Sequence, residues 1–457
     1  VKFTLDTASG TATEGGDFNA LQELDILAAS GLTLEKRTAT DGSNVVTVTA
    51  TNSSGVDLAA GSALATFGVK TTDDVVVESA ETFGVTLAGI GSTVTAGASL
   101  TATIADNDVA VVRMSGPTAV TEGSVASSYT VSLGAGVGLG KGQSVIFTLD
   151  SRSVSATEGA DFTALSAASI TSAAAGITLV KSAPDLNGVI TVTATNTGLA
   201  DLAAGSALAG FSVTTIADSS LEGTETFSVD LGGVGAVTVE GASTLTTSIT
   251  DATTPVVRIS GPATTFSEGA TATGYKVSMG SGVVLGKGQS IIFTLDSSSV
   301  SATEGADFTP LSSASITAAA VGITLVKSLP DSNGVITVTA TNTSGVDLAA
   351  GADLASFVMS TTDDAVVEGD ETYGVTLGAG TGVSVEGAAV VTTTITDNDI
   401  ATIQMSGPTT VAEGLTAAPY TVSLGAGVGL GKGQSVKFTL DTASGTATEG
   451  GDFNALQ

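Results

Sequence analysis

The sequence predicts an all-β chain of tandem antiparallel β-sandwiches. Three observations carry that expectation: an internal period of about 145 residues, period-2 alternation of β-branched residues, and turn signals between the alternating runs. The period is decisive, because a repeat array forms from stacked copies of one unit. Asp17-Phe18 returns as Asp161-Phe162, Asp307-Phe308 and Asp452-Phe453, in steps of 144, 146 and 145 residues. Ser-Gly-Pro recurs at Ser115, Ser260 and Ser406, and Gly-Lys-Gly-Gln-Ser at Gly140, Gly286 and Gly431.

The strands follow from alternation. Residues 45–50 (VVTVTA), 189–194 (VITVTA) and 335–340 (VITVTA) set β-branched residues in period 2, as do 129–133 (YTVSL), 145–149 (VIFTL) and 227–231 (FSVDL). Residues 184–188 (PDLNG) and 330–334 (PDSNG) each separate ITLVKS from VITVTA. Asn-Gly tolerates positive φ, so each reads as a hairpin. The Ala-rich stretch 166–175 reads as loop, because Ser and Thr interrupt it. Short strands with regular turns suggest a sandwich of the immunoglobulin type.

A second period lies above the first. Residues 1–22 are identical to residues 436–457, an offset of 435. Two readings stand: a long array with a homogenised three-repeat unit, or a fragment with a redundant overlap. Both make the chain a piece of something longer. The expected divisions are a partial repeat at 1–108, repeats at 109–254 and 255–400, and a partial repeat at 401–457.

Composition removes several chemistries. The 457 residues hold 45 Asp+Glu against 14 Lys+Arg, a formal charge of −31, and no Cys, His or Trp. Without Cys or His there is no Cys–His or Ser–His–Asp machinery, no zinc site of the usual type and no disulfide. So acidic a surface repels nucleic acid and anionic lipid and attracts cations. No apolar run is long enough to predict a membrane span. Acid pairs are the raw material of glycoside hydrolysis, but nothing marks a pocket. The Gly-rich stretch 134–142 fails as a phosphate loop, since Ala135 and Gly142 stand where Gly and Ser/Thr are required for Lys141. It reads as a flexible inter-strand loop. Asn52-Ser53-Ser54 and Asn342-Thr343-Ser344 fit a glycosylation pattern that is common by chance. Lys141 and Asn196, with counterparts in the next repeat, leave a Lys–Asn crosslink open.

Four motifs recur in fixed order. An early Glu-Gly stands at Glu122, Glu268 and Glu413. Residues 11–18 (TATEGGDF), 156–162 (ATEGADF) and 302–308 (ATEGADF) form the second. Residues 73–87 (DDVVVESAETFGVTL) and 363–377 (DDAVVEGDETYGVTL) form the third, and 103–108 (TIADND) and 394–399 (TITDND) the fourth. In these motifs each repeat resembles a Calx-beta domain, a calcium-binding β-sandwich module. The repeats exceed the usual domain length, and the surplus, after Asp161-Phe162, reads as an added hairpin together with residues 201–210 (DLAAGSALAG).

The resemblance implies a Ca²⁺ ligand set. In 255–400 it is Glu268, Asp307, Asp363, Asp364, Glu368, Asp397 and Asp399; in 1–108 it is Asp17, Asp73, Asp74, Glu78, Asp106 and Asp108. The last repeat begins one with Glu413 and Asp452. The middle repeat keeps Glu122, Asp161, Asp218, Glu222 and Asp251, but Ala217 replaces the first Asp of the pair and Thr253 the last acid, so weaker binding or fewer ions are expected there. The alternative is a solvated acidic face with ordinary turn formers. Glu225 and Glu371 read as surface or structural residues.

The function expected is non-enzymatic: an extracellular, calcium-stiffened stalk, fibre or filament segment, with an adhesin module as the alternative. Its partners would be neighbouring repeats or identical subunits, with cell-surface or matrix contacts open. The cut positions raise strand donation between subunits, against one continuous chain.

Overall fold

A computed structural model describes residues 1–95, 99–262 and 265–457. Nearly all regular elements are strands; among the described residues the one helix is the 3-10 turn Glu23–Asp25, and no helix is long and apolar enough to cross a membrane. Two compact units emerge: Val1–Ala217 with Thr224–Thr250, and Asp218–Gly223 with Asp251–Gln457.

The second unit contains a full sandwich. One sheet runs, in spatial order, Thr317–Ala318, Asp353–Ser360, Thr271–Met279, Val256–Ser260 and Ser384–Val385. The other runs Phe266–Ser267, Val390–Thr396, Glu371–Ala379, Ser290–Ser299, Ile336–Asn342 and Ile323–Lys327. Alternation explains the facing. In Ser290–Ser299, Ile291, Phe293 and Leu295 are buried, whereas Ile292 between them is 41% exposed. Phe308 stacks on Tyr373 at 4.6 Å and Tyr275 on Phe357 at 5.0 Å. The Tyr275 hydroxyl is bonded to Tyr373 at 2.9 Å and to Thr393, so the buried phenols keep their polar ends satisfied.

The expected hairpin is present. Ile323–Lys327 pairs antiparallel with Ile336–Asn342 and forms the edge of the larger sheet. Its turn differs in detail from a two-residue Asn-Gly turn. Only Gly334 takes positive φ (+89°), while the Asp331 carboxylate accepts the N–H groups of Asn333 at 2.8 Å and Val335 at 3.0 Å. The aspartate, not the asparagine, organises the bend.

Two further expectations need refinement. Most pairings are antiparallel, but Phe266–Ser267 runs parallel to Val390–Thr396, and Val256–Ser260 to Ser384–Val385. These first and last strands of a repeat run in the same direction, and the intervening sandwich supplies the long crossover that parallel neighbours need. The stretch 166–175 is irregular as expected, yet it contributes Thr171–Ser172 to a sheet edge and buries Ile170.

The first unit repeats the plan. Thr171–Ser172, Ala207–Thr214, Val125–Leu133, Val111–Ser115 and Thr238–Val239 form the smaller sheet; Ala119–Thr121, Thr244–Thr250, Glu225–Gly233, Ser144–Ser153, Ile190–Asn196 and Ile177–Lys181 the larger. Ahead of it, Lys2–Ser9 lies between Val46–Asn52 and Glu81–Gly89, flanked by Leu32–Thr38 and Leu100–Ile104. Among the described residues, Ile26–Ala28 and Ala65–Phe67 pair antiparallel as a separate two-stranded sheet.

The stretch 134–142 is not merely a loop. Gly138–Leu139 is a buried two-residue strand that pairs parallel with Val76–Val77, and Leu139 bridges Leu202. A Cβ on Gly138 would lie 2.8 Å from the Leu202 carbonyl, so the close approach requires glycine. In the second unit Gly429–Leu430 pairs with Val366–Val367, and Val284–Leu285 with Ser220–Leu221. The Asn196 amide bonds the carbonyls of Leu139 and Ala200, both at 3.0 Å, and serves this seam.

Replacing Phe308 with Ala removes a fully buried ring and should cost about 3–5 kcal/mol. Hydrogen exchange read by mass spectrometry should quicken in Ser290–Ser299 and Glu371–Ala379, with strands of the first unit unchanged.

Candidate metal centre

The acids gather where strands end. Glu268 follows Phe266–Ser267, Asp397 and Asp399 follow Val390–Thr396, and Asp363, Asp364 and Glu368 lie between Asp353–Ser360 and Glu371–Ala379. Asp307 precedes Phe308, whose backbone bridges Thr361. Hydrogen bonds fix the loops: Asp364 accepts the Val366 N–H at 2.7 Å, Asp397 those of Glu368 at 3.0 Å and Asp399 at 2.9 Å, and Asp307 that of Thr303 at 2.5 Å. Asn398 donates to Asp363 at 3.0 Å and to the Glu268 carbonyl at 3.2 Å.

Two carboxylate groups result. Oxygens of Glu268, Asp364 and Asp399 lie within 4.8 Å of one another, as do those of Asp307, Glu368 and Glu371. Glu268 is only 9% exposed, and its Oε2, like Oδ2 of Asp399, is buried without a hydrogen-bond partner. Gly269 adopts φ +71°, and a Cβ there would stand 2.9 Å from that of Asp363, so the Glu-Gly turn packs directly on the acid pair. No Lys or Arg forms an ion pair with any of these seven predicted acids among the described residues.

Residues 1–108 build the same kind of centre. Asp17, Asp73, Asp74, Glu78, Asp106 and Asp108 all line one cavity of about 210 Å³, together with Glu81. Asp17, Glu78 and Glu81 approach within 4.8 Å. Asn107 donates to Asp73 at 3.0 Å, Asp106 accepts the N–H of Glu78 at 3.1 Å and of Asp108 at 3.1 Å, and Asp74 that of Val76 at 2.8 Å.

The middle repeat's acids divide between the units. In the first, Asp161 accepts the Thr157 N–H at 2.5 Å and lies within 4.8 Å of Glu225, and the Glu122 N–H bonds the Thr250 carbonyl at 2.9 Å. Ala217 sits against Gly123, its Cβ 2.8 Å from where a Cβ on that glycine would lie, as Asp363 sits against Gly269. In the second, Asp218 bonds the Ser220 N–H at 2.6 Å, and Asp251 bonds those of Glu222 at 3.0 Å and Thr253 at 2.6 Å. Thr253 therefore keeps the turn of Asp399 without its carboxylate. Asp452 bonds Thr448 at 2.8 Å; it and Glu413 are exposed and join no acidic group among the described residues.

Glu81, Glu225 and Glu371 stand with the predicted acids, although Glu225 and Glu371 read from the sequence as surface or structural residues. The signal was in the phase of the strand. Glu371 shares period 2 with Tyr373, Val375 and Leu377, all buried, so it lies on the inward face at the mouth of the sandwich.

Repulsion dominates the electrostatics. Burial, then the charges of Asp364, Asp397, Glu368 and Asp399, push Glu268 up to about 7. Burial and Asp307 push Glu371 to about 7, and burial with Asp74 and Glu81 pushes Glu78 to about 7. Asp399 and Asp108 shift upward through burial and neighbouring acids. A carboxyl whose folded pKa exceeds its unfolded value favours the folded state below the unfolded pKa, and that advantage is lost as pH rises through the folded value. In chelator, the thermal midpoint should therefore fall as pH rises from about 4.5 to about 7. The Glu268→Gln variant should show a shallower fall in scanning calorimetry.

A Calx-beta domain model matches residues 33–108, 345–403 and 396–457. No curated protein sequence matches. Among solved structures, the calcium binding domain CBD12 of CALX1.1 shares 10% identity over 62% of this chain and 99% of its own, at TM-score 0.23. The C-terminal domain of the Streptococcus agalactiae AgI/II polypeptide BspA shares 11% identity over 63% and 99%, at TM-score 0.20. The Escherichia coli adhesin FdeC shares 14% over 80% and 82%, at TM-score 0.17. The family is matched at three places along the chain and its motifs recur at one period, consistent with repeated Calx-beta domains.

Proposed function

We propose that this chain is a structural segment of an extracellular repeat array, a stalk, fibre or filament, in which calcium at the acidic poles holds neighbouring repeats in fixed register. One observation carries the reading: the acidic loop and the seam between repeats are the same residues. Val76–Val77, which pairs with Gly138–Leu139, is bracketed by Asp74 and Glu78. Gln143 reaches back to Ser79, and the Gly140 N–H bonds the Val77 carbonyl at 2.9 Å. Val366–Val367, paired with Gly429–Leu430, is bracketed by Asp364 and Glu368. An ion that draws the acids together would fix the segment on which the next repeat rests.

Calcium suits the donor set. It takes 6–8 oxygens in flexible geometry, whereas Mg²⁺ keeps most of its water and needs few carboxylates. Soft metals would find no thiolate or imidazole in a chain without Cys or His. The unpartnered oxygens of Glu268 and Asp399 are the acceptors such an ion would satisfy.

Calorimetric titration of the chain with calcium should lose bound ions on Asp364→Asn. The double change Ala217→Asp with Thr253→Asp should restore acids to the middle repeat and tighten binding or add an ion; an unchanged isotherm contradicts the ligand assignment. Electron microscopy should find the particles straighter in calcium than in chelator. Equal flexibility in both would remove the mechanical role.

A further inference from the structure

The three seams between an acidic loop and the following repeat use the same short parallel pairing, and their facing residues change in a matched way. Where the loop presents Val76 or Val366, the following repeat presents a glycine, Gly138 or Gly429. Where the loop presents Ser220, the following repeat presents Val284. Each seam therefore holds one branched side chain and one small residue at its first position. The second position does not vary in this way: Val77, Leu221 and Val367 meet Leu139, Leu285 and Leu430.

Two further observations make size the matched property. A Cβ on Gly429 would have the Val366 side chain as its nearest neighbour, with Cγ2 at 3.0 Å and Cγ1 at 3.4 Å. Gly429 does not take positive φ, so its neighbour, not its backbone, favours glycine there. Ser220 is 8% exposed, and its Oγ is buried without a hydrogen-bond partner. A hydroxyl left in that state is unfavourable, so the position makes no use of the polarity of serine. What it uses is a small volume beside Val284.

We propose that this pair is a size code for repeat order: a loop with valine at the first seam position accepts a following repeat with glycine, and a loop with serine accepts one with valine. The surface at Ser220-Leu221 is thus built for a repeat of the Val284-Leu285 type, and a Val-Val loop for a repeat of the Gly-Leu type. Two valines in register overfill the seam, and serine against glycine leaves a gap. Repeats in one array share a fold, so a mismatch at the seam is what separates the correct neighbour from the others. The code rests on the array reading for the seam itself and on no metal ion.

The test is hydrogen exchange at the seam amides of the full chain, read by mass spectrometry. The Val284 N–H donates to the Ser219 carbonyl and the Gly286 N–H to that of Leu221, both at 2.9 Å. Ser220→Val sets valine against Val284, and Val284→Gly sets serine against glycine. Either change alone should speed exchange at these amides about tenfold, by over-packing or by a void. The double variant rebuilds a valine–glycine pair and should return to within about twofold of the unmodified chain, a coupling that independent sites do not show. The mirrored pair is the second arm, decisive even where Ser220→Val disturbs the fold. Gly429→Val should free the Gly431 N–H, which donates to the Val367 carbonyl at 2.8 Å, and adding Val366→Ser should restore it. Exchange at Gly138 and Gly140 is the internal standard and should stay constant. Single variants as slow as the unmodified chain, or double variants no slower than the singles, overturn the code and leave the array reading intact. Seam amides that exchange freely in the unmodified chain overturn both.

Discussion

Carboxylates held together against their mutual repulsion are the constraint around which the rest of the molecule is arranged. At the pole of the 255–400 sandwich, five motif acids and Glu371 contribute to two groups that no ammonium or guanidinium neutralises among the described residues. A carboxylate buried without a partner is unfavourable, and one facing like charges is more so. The fold tolerates this because strand ends are held by ring stacks and apolar layers a few residues away: Phe308, the neighbour of Asp307 in sequence, stacks on the Tyr373 ring and bridges Thr361 through its backbone. The hydrophobic core thus fixes the oxygens in place.

The same arrangement joins the acids to the pairing between repeats. The Val-Val step between the acids is too short to be a stable strand alone, and it becomes one by pairing with the Gly-Leu step of the next repeat. Glycine at 138 lets its backbone approach the Leu202 carbonyl, and Leu139 gives the seam an apolar anchor. In a repeat array, stability depends on neighbour interfaces as well as on each unit. Here one loop carries both the acids and the strand that pairs at the join.

Much of this was legible in the sequence. Period-2 alternation located the long strands, the PDSNG signal located the hairpin, and the spacing of Asp-Asp, Glu-Gly and Asp-Asn-Asp segments located acids that the fold brings to one pole in 1–108 and in 255–400. What alternation hid was the phase. Glu371 follows the buried face of its strand, but its charge argues for the outside, and the two signals conflict until the mouth of the sandwich is visible. The stretch 134–142 hid for another reason. Its glycines suggest freedom, while its pairing is with a different repeat, and a local pattern carries no record of a distant partner. The parallel edge strands were invisible for the same reason. The Asn-Gly turn misled more simply: Asp331, two residues earlier, captures the backbone first.

The most direct test of the central claim is anomalous X-ray diffraction from crystals of the chain grown in calcium. The account predicts anomalous peaks bonded by Glu268, Asp364 and Asp399 and by Asp307, Glu368 and Glu371, with the Glu268 Oε2 atom among the ligands. Crystals diffracting well enough to place these side chains, with no anomalous peak and with water alone between the carboxylates, would contradict it.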